Sequence, residues 1–393
     1  MNLRTYFEPL STDNVRYVKD DFMPSLGQNI TAYWQDTDFP DLSNTRLVLV
    51  GAPDDRSSVA NHSRAGHAAD AVRSKLYSLA MPCDDFACVD LGNLVPGDTT
   101  DDTIFALSEI LADLLEKDIT VLVLGGSQAL TMANYKAYAT LRRIVNITSI
   151  DSRFDIEEKA EVDSRSWLYH IILQQPNYLF NFANLGYQSY LCGNKYIHLI
   201  DDLQFDAIRL GEVQANGMIG AEPMLRWSDM VSVDLGAVRQ SDAPGNANVS
   251  PHGFYGEQLC QLMRFAGMSD KVSSLGIYEL NTDLDRNDQT AALAAQALWH
   301  FIEGFFGRMG DIPYRDREDY RRYIVPLSNG QQEITFYKSK KSDRWWFEVP
   351  CETEENRERY QRQLMIPCTY DDYQQALQDE LPERWMRLLQ RVN

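Results

Sequence analysis

The sequence is short of positive charge, of long apolar runs and of paired cysteines. Its 37 Lys and Arg face 57 Asp and Glu, a formal charge of −20. Phosphate backbones and anionic membranes are bound through basic footprints, so neither nucleic acid nor a membrane is expected as a partner. The deficit is uneven. Residues 311–393 hold 14 Lys and Arg against 16 Asp and Glu, net −2, which leaves −18 on the first 310. No stretch reaches the length of a membrane span, and the opening MNLRTYFEPLSTDN has no apolar leader core. The six cysteines (Cys83, Cys88, Cys192, Cys260, Cys351, Cys368) show no CxxC spacing and no paired framework. Such scattering predicts reduced core thiols in a cytoplasmic protein.

What is there is an ordinary globular composition, 44% apolar and 11% aromatic, on a chain of 393 residues. That length suits one large domain with an appendage, or two domains. Residues 1–45 are polar and aromatic with weak periodicity, and predict an arm. From 46 to 310 apolar β-branched runs (Leu47–Val50, Ile119–Leu124, Ile144–Ile150, Tyr196–Ile200, Met230–Leu235, Val272–Leu280) alternate with helical spacing (Ala68–Leu79, Asp102–Leu115, Ala129–Leu141, Gly253–Phe265, Thr290–Phe306). Strands alternating with helices of this length imply right-handed βαβ units and a doubly wound, mainly parallel sheet with helices on both faces.

After residue 310 the alternation stops. Ile334–Tyr337 and Trp345–Val349 read as a hairpin across Lys340-Lys341-Ser342-Asp343, with Trp345-Trp346-Phe347 as its core. Glu352–Leu364 and Tyr370–Gln390 read as helices, Thr369 and Asp372 forming a capping box and Pro382 opening a final turn. Residues 311–393 are thus expected to form a small α+β C-terminal appendage.

Three segments carry the chemistry: Gly125-Gly126-Ser127-Gln128-Ala129, Asp151-Ser152-Arg153-Phe154-Asp155 and Ser232-Val233-Asp234-Leu235-Gly236. Each follows an apolar run, which puts it at the carboxyl end of a buried strand, where open α/β sheets hold ligands. The Gly125-Gly126 pair reads as a tight strand-end turn, since no Lys follows it as a phosphate loop requires.

In order and spacing the three segments resemble the motifs GGDHS, DAHxD and SxDxD of the ureohydrolase family (arginase, agmatinase, formiminoglutamase). Further matches are Gly51-Ala52-Pro53 with Asn61, Arg64, Gly66 and Val72-Arg73, then Asp242-Ala243-Pro244-Gly245, and Glu279-Leu280-Asn281 through Asp285. They place the resemblance nearest the formiminoglutamase branch, over about Arg46 to Phe306. It implies a three-layer arginase-like fold, assembly into homo-oligomers, and a site where hydroxide bridging two Mn(II) ions attacks a linear amidine. Glu279 falls where the family holds the substrate's cationic group.

Carried over residue by residue, that site is degenerate at Gln128, Asp151, Arg153, Asp155, Asp234 and Gly236. Gln128 and Arg153 stand where the family has histidine ligands, Gly236 where it has an aspartate, and Ser127 where an aspartate orients the first histidine. The set Gln128, Asp151, Asp155 and Asp234 is all oxygen and suits one Mg, Mn or Ca ion. A guanidinium cannot ligate a cation, which removes the second ion. Beside a single ion, each unit of like charge costs about 4 kcal/mol at 4 Å and an effective dielectric near 20. The first expectation is therefore no metal, with Arg153 forked between Asp151 and Asp234 in the ion's place. A single cation is the second. The three aspartates also read blandly as buried polar residues, and Glu279 as an acceptor for the Asn281 turn. All six histidines (His62, His67, His170, His198, His252, His300) fall outside the ligand positions, and His170 lies slightly out of register with a catalytic histidine of arginases.

Two functions stay open. One is a family member that has lost the binuclear site and hydrolysis, and acts as a binding or regulatory protein for a small cationic amidine or guanidino ligand, or for a protein met by the appendage. The other is a hydrolase of linear amidine C–N bonds working with one metal, with Glu279 on the substrate cation.

Overall fold

The computed structural model describes residues 1–18, 22, 24–59, 65–313, 317–327 and 332–392. Asn61, His62 and Arg64 lie outside the described residues. In chain order the strands of the main sheet are β1 (Phe7–Glu8), β2 (Thr31–Ala32), β3 (Leu47–Ala52), β4 (Cys88–Leu94), β5 (Thr120–Gly125), β6 (Val145–Ile150), β7 (Leu179–Tyr187), β8 (Asp206–Arg209), β9 (Met230–Asp234) and β10 (Ser274–Tyr278). They are ordered β1-β4-β3-β5-β10-β9-β6-β7-β8, with β2 also on β4. Every pairing from β4 to β8 is parallel, and β1 runs antiparallel on the edge.

Residue alternation makes this sheet the middle of three layers. Leu47, Leu49, Leu122 and Leu124 join one apolar cluster, packed with the helices Ala68–Leu76, Gly256–Gly267 and Gln289–Phe306. Their neighbours Val48, Val50, Val121 and Val123 point the other way, into a cluster with Thr100–Glu116 and Thr131–Thr140. Both faces are dry, so the central strands read as unbroken apolar runs.

The sequence reading of the main sheet erred in several places. Tyr196–Ile200 is part of a helix, Asn194–Asp202, not a strand. Its apolar residues recur at helical spacing (Tyr196, Ile200, Leu203), and only Ile200 is fully buried within it. Beyond the arm, the strands β4, β7 and β8 were missed, and β4 and β7 lack a clean apolar run. β4 carries Asp90, Gly92 and Asn93; β7 carries Asn181 and Asn184. Partners distant in sequence hold them: Arg73 Nε donates to Asp90 at 2.8 Å and Asn181 Nδ2 to Asp206 at 2.8 Å.

The appendage is a four-stranded antiparallel sheet, β11 (Tyr320–Leu327), β12 (Gln332–Ser339), β13 (Trp345–Glu348) and β14 (Met365–Cys368), in that order. The expected hairpin is β12–β13, and Trp345, Trp346 and Phe347 are buried in it. The first expected helix is shorter, Glu354–Tyr360, because Met365 onward pairs as β14. The last is two helices, Tyr370–Leu377 and Glu383–Val392, broken before Pro382; the Thr369–Asp372 capping box is present. The appendage seals the amino ends of β6 to β9. Phe180 and Trp227 of the main domain lie inside its apolar cluster, and Arg391 donates to the carbonyls of Phe180 (2.7 Å) and Gln204 (2.7 Å). It therefore lies at the end of the sheet away from the motif segments.

Candidate functional site

The strand order assembles the site. Because β10 and β9 insert between β5 and β6, the carboxyl ends of β5, β10, β9 and β6 stand side by side. They deliver Gln128, Glu279, Asp234 and the pair Asp151 and Asp155 to one place. Gly125 and Gly126 allow this as close-packed turn residues: a Cβ on either would collide, with the Tyr278 ring and with the Asp54 carbonyl.

Each acid is held by neutral donors. The Arg153 N–H donates to Asp151 Oδ1 at 2.8 Å, and the Gly236 N–H to Asp234 Oδ1 at 2.6 Å. These are the same Asx turn used twice. Asn246 Nδ2 adds a donor to Asp234 (3.2 Å), and Trp167 Nε1 donates to Asp155 Oδ2 (3.0 Å). Ser58 Oγ donates to Glu279 Oε2 at 2.6 Å and the Gln128 N–H to Oε1 at 2.9 Å. Gln128 is fully buried, its Nε2 donating to Ser232 Oγ at 3.3 Å. Asp155 and Glu279 sit in the left-handed region, φ 51° and 65°. For a glutamate that costs about 1 kcal/mol or more, the kind of strain that collects at functional sites.

Arg153 does not fork between the acids. Its Nη1 donates to the Leu191 carbonyl at 2.7 Å, and no ion pair joins it to Asp151, Asp155 or Asp234 among the described residues. The cause is local. The Asx turn uses the Arg153 backbone for Asp151, and the Arg153 carbonyl is tied to Asn184 Nδ2 at 2.7 Å, which leaves the side chain to reach the carbonyl of the β7–helix loop. Glu279 likewise bonds Ser58 and Gln128 rather than the Asn281 turn, which closes on its own side chain through the Asp283 N–H.

Four carboxylates thus crowd together, with no ion pair to Arg153 among the described residues, and the electrostatics follow. Burial, then the charges of Asp151 and Asp234, pushes Asp155 well above the usual carboxylate range. Burial, then Asp151 and Glu279, does the same for Asp234. Burial also raises Asp151 and Glu279, each partly offset by its hydrogen bonds. Such a cluster takes up protons or a cation.

A pair of Mn(II) ions does not fit these residues. The positions of two needed ligands are a guanidinium turned away and a glycine, and Ser127 caps the Ala129 N–H at 3.2 Å instead of orienting a ligand. One hard cation fits in part. Among the described residues Gln128 Oε1 and Asp151 Oδ2 are buried oxygens without a hydrogen-bond partner, and both are ligand oxygens of the right kind. They fall short of the six or more oxygens such an ion takes. Among the described residues no group of three or more His, Cys, Asp or Glu is arranged to hold a metal. His170 makes no hydrogen bond to the acids; it lies on the helix Trp167–Leu173 that supplies Trp167.

A sequence model of the arginase family matches residues 45–303. The chain belongs to the arginase family. Among curated relatives it is similar to the formimidoylglutamases of Halalkalibacterium halodurans (22% identical, 65% of this chain and 86% of that one) and Bacillus subtilis (23%, 65% and 86%). The crystal structure of the B. subtilis formimidoylglutamase superposes with a TM-score of 0.66 at 20% identity, covering 74% of this chain and 95% of that one. Trypanosoma cruzi formiminoglutamase with Mn2+ gives 0.63 at 20%, covering 68% and 96%. These likenesses bear out the three-layer fold of this arginase-family chain. The family match ends at residue 303, before the appendage begins.

Sequence reasoning named every acid of the cluster but missed the donors that hold it. Asn246 follows the matched Asp242–Gly245 loop and was within reach of a motif argument. Ser58 and Trp167 carried no signal, because only the folded chain brings them to Glu279 and Asp155.

Proposed function

We propose that this arginase-family protein has left binuclear hydrolysis and acts by binding a small amidine or guanidino cation at the Asp151–Asp155–Asp234–Glu279 cluster. One observation carries the reading: four buried carboxylates converge, held among the described residues by neutral donors, while the Arg153 guanidinium is bonded to a main-chain carbonyl. A planar cation with several N–H donors matches such a set of acceptors and relieves its mutual repulsion. Calorimetry with agmatine and with formamidine, beside assays for urea and formamide release in Mn(II), tests this. Saturable binding without turnover supports it; turnover overturns it.

The alternative reading is a one-metal hydrolase of linear amidines, favoured by the two partnerless oxygens on Gln128 and Asp151. One Mg, Mn or Ca ion would lie on Gln128, Asp151, Asp155 and Asp234, with Glu279 toward the substrate cation. Stoichiometric metal retained after dialysis would favour it.

A further inference from the structure

Where the appendage meets the main domain, a cavity of about 520 Å3 opens whose charge is opposite to that of the chain as a whole. Arg142 and Arg143, from the turn before β6, line one wall; Arg359 and Arg362, at the end of the helix Glu354–Tyr360 and beyond, line the other. Among the described residues Glu358 is the one carboxylate in that lining. In a protein with 37 basic and 57 acidic residues, four guanidinium groups to one carboxylate is a concentrated positive site.

We propose that this cleft binds a small phosphorylated metabolite. Two of the arginines are anchored from behind: Arg143 Nη1 donates to the Leu115 carbonyl at 3.1 Å and Arg362 Nη2 to the buried Asp229 Oδ1 at 3.2 Å. Arg142 and Arg359 are exposed at the mouth, Arg359 stacked on Tyr360. Setting Glu358 and Asp229 against the four arginines leaves two positive charges (four minus two), before Lys271, which shares Asp229 at 3.2 Å. Guanidinium forks match phosphate oxygens in pairs, and a concave wall of one sign focuses its field on an anion. The volume suits a metabolite, and the net charge of −20 on the whole chain disfavours a polyanion such as nucleic acid. Since the two walls belong to the main domain and the appendage, a bound phosphate ties them together.

The test is calorimetry on the full chain at low ionic strength with inorganic pyrophosphate, and with citrate as an anion of other chemistry. Saturable pyrophosphate binding, stronger than citrate, is the expected result. The double variant Arg142→Ala, Arg359→Ala alters only exposed side chains and should weaken it by about tenfold or more, while Glu358→Gln should tighten it. No saturable binding, equal affinity for citrate, or an unchanged affinity in the folded double variant would each overturn the proposal.

Discussion

The Arg153 guanidinium lies 2.7 Å from the Leu191 carbonyl oxygen, while its own backbone N–H serves Asp151. A side chain that sequence reasoning placed among the acids as their counter-ion is instead a brace between two loops. Among the described residues the carboxylates are held by neutral donors instead.

That difference is measurable. If Arg153 braces a loop, Arg153→Ala loses a hydrogen bond to a main-chain carbonyl and costs about 1–2 kcal/mol in urea unfolding. A guanidinium neutralising buried acids would cost about 3–5 kcal/mol on removal. A loss in the upper range would restore the counter-ion reading.

Asp155→Asn should stabilise the metal-free protein. The amide keeps an acceptor for Trp167 Nε1, offers a donor near the partnerless Asp151 Oδ2, and removes a charge crowded by Asp151 and Asp234. Asparagine also tolerates the left-handed backbone at this position. The expected gain is on the order of 1 kcal/mol in chemical denaturation. A loss would mean that a cation normally resides there.

No Mn(II)-dependent release of urea or formamide is expected from the unaltered chain. Rebuilding the ligands with Gln128→His, Arg153→His and Gly236→Asp is the minimum for any turnover. The last change is crowded, since a Cβ at Gly236 would lie 3.0 Å from Asp234 Oδ1 and 3.3 Å from Asn246 Oδ1. Gly236→Asp alone should therefore lower stability by about 1–3 kcal/mol, visible as a lower Tm.

At the foot of the sheet, burial pulls Lys271 down to about 8 despite its pairing with Asp229. Its folded value is below the unfolded one, so below pH 8 the folded state carries the full cost of a buried ammonium. As pH rises from 8 toward the unfolded value the folded protein sheds that proton while the unfolded chain keeps it, and stability rises. Relative to Lys271→Met, the wild type should gain up to about 1.4 kcal/mol per pH unit across that window. A flat difference from pH 7 to 10 would show that Lys271 stays charged.

Arg391 fastens the appendage through Phe180, Leu203 and Gln204 carbonyls and Asn181 Oδ1. Arg391→Met should cost on the order of 3 kcal/mol, because it removes several charge-assisted hydrogen bonds to partly buried acceptors. Thermal unfolding checks it, and a loss below about 0.5 kcal/mol would mean that the seam rests on apolar packing alone.

Local pattern made much of this protein readable. The α/β alternation, the hairpin around Trp345–Phe347 and the Thr369 cap follow from neighbouring residues, and each appears in the fold. β4 and β7 escaped because their buried Asp90, Asn181 and Asn184 break the apolar run, and what makes those residues tolerable is a partner distant in sequence: Arg73, Asp206 and the Arg153 carbonyl. Motif order identified the family, and residue identity alone established that Arg153 and Gly236 cannot ligate a metal.

Tertiary structure decided the rest. Strand order, which no local pattern encodes, sets four separate loops into one acid cluster. The direction of one guanidinium depends on a carbonyl 38 residues away, found only when the chain is folded. Side-chain chemistry is written in the sequence, but the partner that each group meets is a property of packing.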